Sequence, residues 1–192
     1  MGKMKRVFII HGWDGFPGNH WFLWLKKKLE SDFKVVIPAM PDSETPKIDV
    51  WVHFLEKLVG KVDKDTFFVG HSIGCQTIMR YLERLDNKDE VGGVVFVAGF
   101  FDLPFLRTKE EKKIAKPWLE TPIDTIKIKN IAKKMIAIFS DNDPDVSLDD
   151  AKSFRKRLNA KIIIEKGKGH FTLNDGVDKL PSALEALKEM MS

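Results

Sequence analysis

The sequence predicts an α/β protein, a three-layer sandwich built on a six-stranded, mainly parallel sheet. Three observations carry that prediction. Short apolar runs recur at Val7 to Ile10, Val35 to Ile37, Phe67 to Val69, Val94 to Val97, Ile136 to Phe139 and Ile162 to Ile164, as strands buried on both faces require. Segments of helical spacing alternate with them at Trp21 to Leu29, Val50 to Val62, Ile73 to Leu85, Ala151 to Leu158 and Ser182 to Met190, which is the rhythm of parallel βαβ units. At 192 residues and 43% hydrophobic content, the chain can bury one core well and cannot comfortably divide into two.

A single domain over residues 1–192 is therefore expected. The rhythm breaks only between Asp102 and Lys129, where Pro104, Pro117 and Pro122 accompany a charged stretch, Lys109 to Lys113. This segment, 102–129, is read as a short insertion over the sheet edge, a minimal cap formed by a short helix and a loop.

No apolar run approaches the roughly 20 residues of a membrane span, and the first one is interrupted by His11, Gly12 and Asp14 before it could serve as a signal-peptide core. No membrane association is expected. Cys75 is the only cysteine, so no internal disulfide forms, and a cytoplasmic location is expected. The net charge of +4 is modest and its lysines fall on predicted helix faces, without the basic and aromatic concentration that nucleic-acid binding uses.

Thr66 to Gln76 reads as a strand, a sharp turn and a helix, with Gly70-His71-Ser72-Ile73-Gly74 on the turn. This is the context of a nucleophile elbow in an α/β-hydrolase fold. The turn forces the serine into a strained backbone conformation, and side chains two positions away would collide with the neighbouring strand and helix. Ser72 is thus the candidate nucleophile. The backbone N–H of Ile73, at the start of the helix, is a candidate oxyanion donor. Cys75 points toward the core and reads as a small apolar residue.

Serine needs a general base, usually histidine. In this fold the order is serine, acid, histidine, and of five histidines only His170 follows Ser72. It lies in a glycine-rich loop, Lys166 to Phe171, beyond the last strand. The acid is expected after the fifth strand, where Asp141, Asp143 and Asp145 cluster. Asp143 is favoured for its mid-loop place beside Pro144 and Val146; Asp141 and, after the fourth strand, Asp102 are the alternatives.

The same aspartates do not form a calcium loop, because Val146 and Lys152 occupy the places of the required glycine and glutamate. Ser147 with Asp150 reads as a helix cap. No zinc-site spacing or phosphate-binding loop is present, so no metal or cofactor is expected. The first strand ends in His11-Gly12-Trp13, whose Trp13 N–H is the second candidate oxyanion donor. His11 reads as a turn-stabilising residue, and His20 and His53 as partly exposed residues near helices. Trp13, Phe16, Phe100, Phe101, Phe105 and Trp118 are candidates to line a shallow pocket for short acyl groups.

Taken together, these motifs resemble the small serine hydrolases of the retinoblastoma-binding protein 9 family over nearly the whole chain. The likeness rests on His11-Gly12-Trp13, Gly70-His71-Ser72-Ile73-Gly74, Gly99-Phe100-Phe101, Asp143-Pro144, Gly169-His170-Phe171 and Leu180-Pro181. It departs at Ser147, where related hydrolases place proline after the valine. The resemblance implies a Ser72, Asp143 and His170 triad, little or no cap and no cofactor. The protein interaction behind the family's name does not carry over, since its binding motif is not visible here, and any protein partner is left unspecified. The expected activity is cleavage of small acyl esters through an acyl-enzyme. An amidase or aminopeptidase-like activity and a protein-binding module on a hydrolase scaffold are the alternatives.

Overall fold

The computed structural model describes residues 4–191, so the ends of the expected domain, residues 1–3 and 192, lie outside the described residues. Every apolar run becomes a strand: β1 (Lys5–Ile10), β2 (Phe33–Val36), β3 (Thr66–His71), β4 (Gly93–Val97), β5 (Met135–Ser140) and β6 (Lys161–Glu165). They form one sheet in the order β2-β1-β3-β4-β5-β6, and every pairing is parallel. Because side chains alternate along a strand, β1 sends Phe8 and Ile10 into one core and Val7 and Ile9 into the other.

The helices cover those two faces. Helices α1 (Phe22–Leu29) and α7 (Pro181–Met191) bury Phe22, Leu25, Leu184 and Leu187 on the Val7 side. Helices α2 (Ile48–Val59), α3 (Ile73–Leu82), α5 (Thr125–Ile131) and α6 (Asp149–Leu158) pack on the other side, with Trp51, Leu55, Ile78, Ile128 and Phe154 at the contact. The two-layer covering explains why the central strands read as continuous apolar runs.

The segment expected as a short insertion, a helix and a loop over the sheet edge, is tied into the fold. Between Asp102 and Lys129 lie a loop, all of helix α4 (Lys109–Glu120) and the start of α5. A capping box starts α4: the Thr108 hydroxyl accepts from Glu111 N–H at 3.0 Å, and the Glu111 carboxylate accepts from Thr108 N–H at 2.9 Å. Pro117 stands inside the helix without ending it before Glu120. Trp118 is buried and donates from Nε1 to the Pro46 carbonyl, and loss of such a side chain costs about 3–5 kcal/mol. Arg80 of α3, also buried, donates to the Trp118 and Thr121 carbonyls, each at 2.9 Å. Periodicity cannot register such cross-links, so they are not visible in the sequence.

Strand β1 sits between β2 and β3, and the chain reverses its direction of winding there, the place where parallel sheets bind ligands beyond their carboxyl ends. Helix α3 begins at that edge and lies very close to β1. A Cβ on Gly74 would meet the carbonyl oxygens of Ile10 and His11, and one on Gly70 would lie 2.8 Å from the backbone of Cys75. Gly74→Ala is therefore expected to destabilise the fold by about 1–3 kcal/mol or more, through forced separation of α3 from β1. Urea denaturation of the purified variant measures this directly; an unchanged midpoint would contradict the close packing.

Candidate active site

The turn between β3 and α3 carries Ser72 at φ 53° and ψ −123°, a left-handed conformation rare for a residue with a side chain. The Ser72 N–H donates to the Val97 carbonyl at 2.9 Å, and the Ser72 carbonyl accepts from Cys75 N–H at 2.9 Å, so the strained turn is held from both sides. Ile73 is the first residue of α3, and the N–H groups of a first helical turn have no acceptor within the helix. Cys75 is fully buried and its thiol is pushed up by desolvation, as expected of core filler.

Gly12 abuts this turn from the end of β1, close enough that a Cβ on it would lie 3.2 Å from the Ser72 Cβ. Its carbonyl accepts from His11 Nδ1–H at 2.9 Å and from Gly15 N–H at 3.1 Å. His11 Nε2 accepts from Met40 N–H at 3.0 Å, so both ring nitrogens are used and the tautomer is set. In a planar trans peptide the N–H lies opposite the carbonyl, so the Trp13 N–H is turned away from both of these donors. It has no backbone acceptor among the described residues.

His170 and Asp143 meet across loops from different strands. His170 Nδ1 lies 3.0 and 2.9 Å from the two Asp143 oxygens, and the Asp143 side chain is only 2% exposed. Asp143 Oδ1 also accepts from the N–H groups of Asp145 and Val146, with Val146 itself buried. The other aspartates are committed elsewhere: Asp141 accepts from Gly167 N–H and Asp102 from Leu103 N–H. Burial works to lower the His170 pKa, but the hydrogen bond and charge of Asp143, with Asp145 and Asp175 behind it, raise it above the usual histidine value.

Ser72 and His170 line one cleft of about 310 Å³. Trp13, Leu103, Phe105 and Leu106 give it an apolar wall, and Asp14, Arg107, Glu111 and Asp145 surround them with charge. A larger hollow of about 750 Å³ opens between α2 and α4 and reaches neither Ser72 nor His170. Among the described residues, the only group with metal-ligand spacing is Asp143, Asp145 and His170, whose donor atoms lie within 4.8 Å of one another. Within it, His170 Nδ1 and Asp143 are already bonded to each other.

Several expectations need correction. Of the aromatic candidates only Trp13 and Phe105 line the cleft; Phe100 and Trp118 are core residues, Phe16 is exposed away from it, and Phe101 packs on Phe154. The Ser147 hydroxyl accepts from Asp149 N–H, but Asp150 makes no cap. Its buried carboxylate instead accepts from Phe101 N–H at 2.7 Å, and desolvation lifts its pKa to about 6. His20 is half-buried just before α1, as expected; its Nδ1 accepts from Leu173 N–H, and burial with neighbouring His170 lowers its pKa to about 4. Sequence reasoning missed Leu103, Leu106 and Arg107 as cleft residues, because nothing in a loop's composition tells which way it folds, and Glu111, because the placing of α4 over the cleft is a long-range contact.

The family profile described as serine hydrolase matches residues 7–189. This chain belongs to the serine hydrolase family. Among relatives, the hydrolase YdeN of Bacillus subtilis (strain 168) is 32% identical over 190 residues, 98% of this chain and 97% of that one. Serine hydrolase RBBP9 of Rattus norvegicus is 29% identical over 171 residues, 87% of each chain. The crystal structure of the B. subtilis YdeN product superposes with a TM-score of 0.88 at 30% identity, over 97% of this chain and 98% of that one. The fold is accordingly that of the α/β hydrolases. Est1E from Butyrivibrio proteoclasticus, solved with ferulic acid bound, shares the fold at a TM-score of 0.75 and 16% identity, covering 98% of this chain and 88% of that one.

Asp150 joins α6 to the loop that walls the cleft of this serine hydrolase. Asp150→Ala leaves the Phe101 N–H without its partner and is expected to cost about 1–3 kcal/mol. Equilibrium denaturation with urea checks it; a change within about 0.5 kcal/mol would make the bond dispensable.

Proposed function

We propose that the chain hydrolyses small acyl esters, with Ser72 as nucleophile, His170 as general base and Asp143 as the acid that orients it. The observation that carries this reading is the Asp143 and His170 pair on the rim of the cleft that Ser72 lines. With Nδ1 engaged by Asp143, Nε2 is the edge of the imidazole left for chemistry. No direct hydrogen bond joins Ser72 to His170 among the described residues; such bonds commonly tighten only once substrate is bound.

Ser72 Oγ forms a bond to the ester carbonyl carbon while its proton passes to His170 Nε2. The carbonyl oxygen takes up the negative charge, opposite the Trp13 and Ile73 N–H groups. Collapse breaks the bond to the alcohol, which leaves with the proton from Nε2. Water then repeats the sequence on the acyl-serine, returning the acid and free Ser72. A cleft of about 310 Å³ with one apolar wall suits a short acyl group. No metal or organic cofactor enters the scheme.

A fluorophosphonate is expected to label the wild-type protein and not Ser72→Ala; equal labelling of both would remove Ser72 from the mechanism. His170→Ala is expected to lower kcat for p-nitrophenyl esters by roughly 10⁴ or more. A chain-length series of those esters, run beside aminoacyl amides, tests the acyl preference. Faster turnover of the amides would move the chain to the amidase reading.

The pH dependence has a definite sign. The base must be neutral, and His170 is raised above its ordinary value of 6.5. Activity is therefore expected to rise with pH through a midpoint above that value. Asp143→Asn removes the main raising influence, so the midpoint of kcat/KM shifts downward while the rate itself falls, by about 10⁴ where such a tautomer change has been measured in other triads. A midpoint that stays put would mean that Asp143 does not act on the base.

A further inference from the structure

His170 stands on a loop whose backbone turns left-handed on both sides of it. Gly167, Gly169 and Phe171 all take positive φ values, 64°, 51° and 57°, and glycine leaves such backbone free to move elsewhere. The N–H groups of Gly167, Lys168 and Gly169 are gathered by Asp141, Ser140 and Asn142, at the end of β5 and in the loop after it, and that of His170 by Asp175. The His170 carbonyl is held from another direction. His71, the last residue of β3, lies 2.8 Å from it through Nε2.

We propose that His71 is a positioning residue for the general base, clamping the His170 main chain to the end of the strand that carries Ser72. The proposal rests on the reading of His170 as that base. A carbonyl oxygen only accepts, so His71 Nε2 carries the proton and Nδ1 is a bare lone pair. That Nδ1 is buried with no partner among the described residues. The ring packs against His20, Trp21, Phe22 and His170.

As filler in such a ring cluster, a phenyl group would do better, since it buries no orphaned nitrogen. The bond to His170 is the one thing the imidazole supplies that a phenyl ring cannot. His71 also stays uncharged as its neighbour takes up a proton: burial opposes its protonation, and the charges that His170, His20 and His11 can carry oppose it further. Since His71 adjoins Ser72 in the chain, nucleophile and base are both referred to one strand end.

His71→Phe keeps the ring packing and deletes the donor, whereas His71→Gln places an amide N–H near the former Nε2. The second-order rate of fluorophosphonate labelling is expected to fall about tenfold to a hundredfold in the phenylalanine variant. In the glutamine variant it is expected to recover to within about threefold of wild type. With p-nitrophenyl acetate the loss is expected in kcat, with KM unchanged. A phenylalanine variant as fast as wild type overturns the proposal, and so does equal loss in both variants, which is what damaged packing produces.

Nitrogen-15 NMR of the wild-type protein gives a second reading should either variant fail to fold. His71 is expected as the neutral Nε2–H tautomer at neutral pH, and an Nδ1–H tautomer or a protonated ring there overturns the clamp. His170→Ala serves as the control for the base itself: wild-type labelling by that variant refutes the base reading and leaves the His71 bond untouched.

Discussion

Helix α3 approaches strand β1 so closely that position 74 has no room for a side chain, and the placement of the whole site follows from that contact. The helix can begin there only if the chain turns sharply out of β3, which puts Ser72 at positive φ with its hydroxyl at the rim of the sheet. The same contact sets the helix N-terminus beside the end of β1, so that Gly12 lies against the serine. Two backbone segments that are distant in sequence, 12–13 and 72–73, thus meet without any side chain needing to bridge them. The remaining participants are brought to this fixed edge by the loops after β5 and β6.

Histidines crowd that edge, and burial treats them differently according to their partners. His11, His20 and His71 are all lowered by desolvation, His20 to about 4, and each has neighbouring positive charge or no carboxylate strong enough to reverse the effect. His170 is nearly as enclosed, yet Asp143 raises it. Among the histidines at this edge, the ring favoured to take up a proton is the one bonded to a carboxylate. The neutral rings serve as fixed hydrogen-bonding groups: His11 on the Gly12 carbonyl, His71 on that of His170.

Local pattern made much of this legible in the sequence. All six strands were visible as apolar runs because a parallel sheet covered on both faces admits little else. Ser72 was visible because a Gly-x-Ser-x-Gly turn between a strand and a helix has a steric explanation, and His170 because chain order left no other histidine. Among the aspartates, mid-loop position favoured the residue that the structure pairs with His170. What stayed hidden depends on long-range contact. The burial of Trp118, the inward turn of Asp150 toward Phe101 and the bond from His71 to His170 join residues 72, 49 and 99 positions apart. The bounds of helix α4 were not drawn from the sequence, although its capping pair, Thr108 and Glu111, stands in it.

The loop after β4 is gripped at its start by one face of α6. Asp150 holds the Phe101 N–H, Phe154 packs on the Phe101 ring at 4.9 Å, and the Arg157 guanidinium lies 3.8 Å from its centre. Its far end is fixed by the Thr108 and Glu111 cap. Between those anchors, Leu103, Phe105, Leu106 and Arg107 face the cleft, and of them only Leu103 also packs on the core. Natural variation can rewrite that short stretch while Ser72, Asp143 and His170 stay where they are, so members of one lineage can diverge in diet on an unchanged frame.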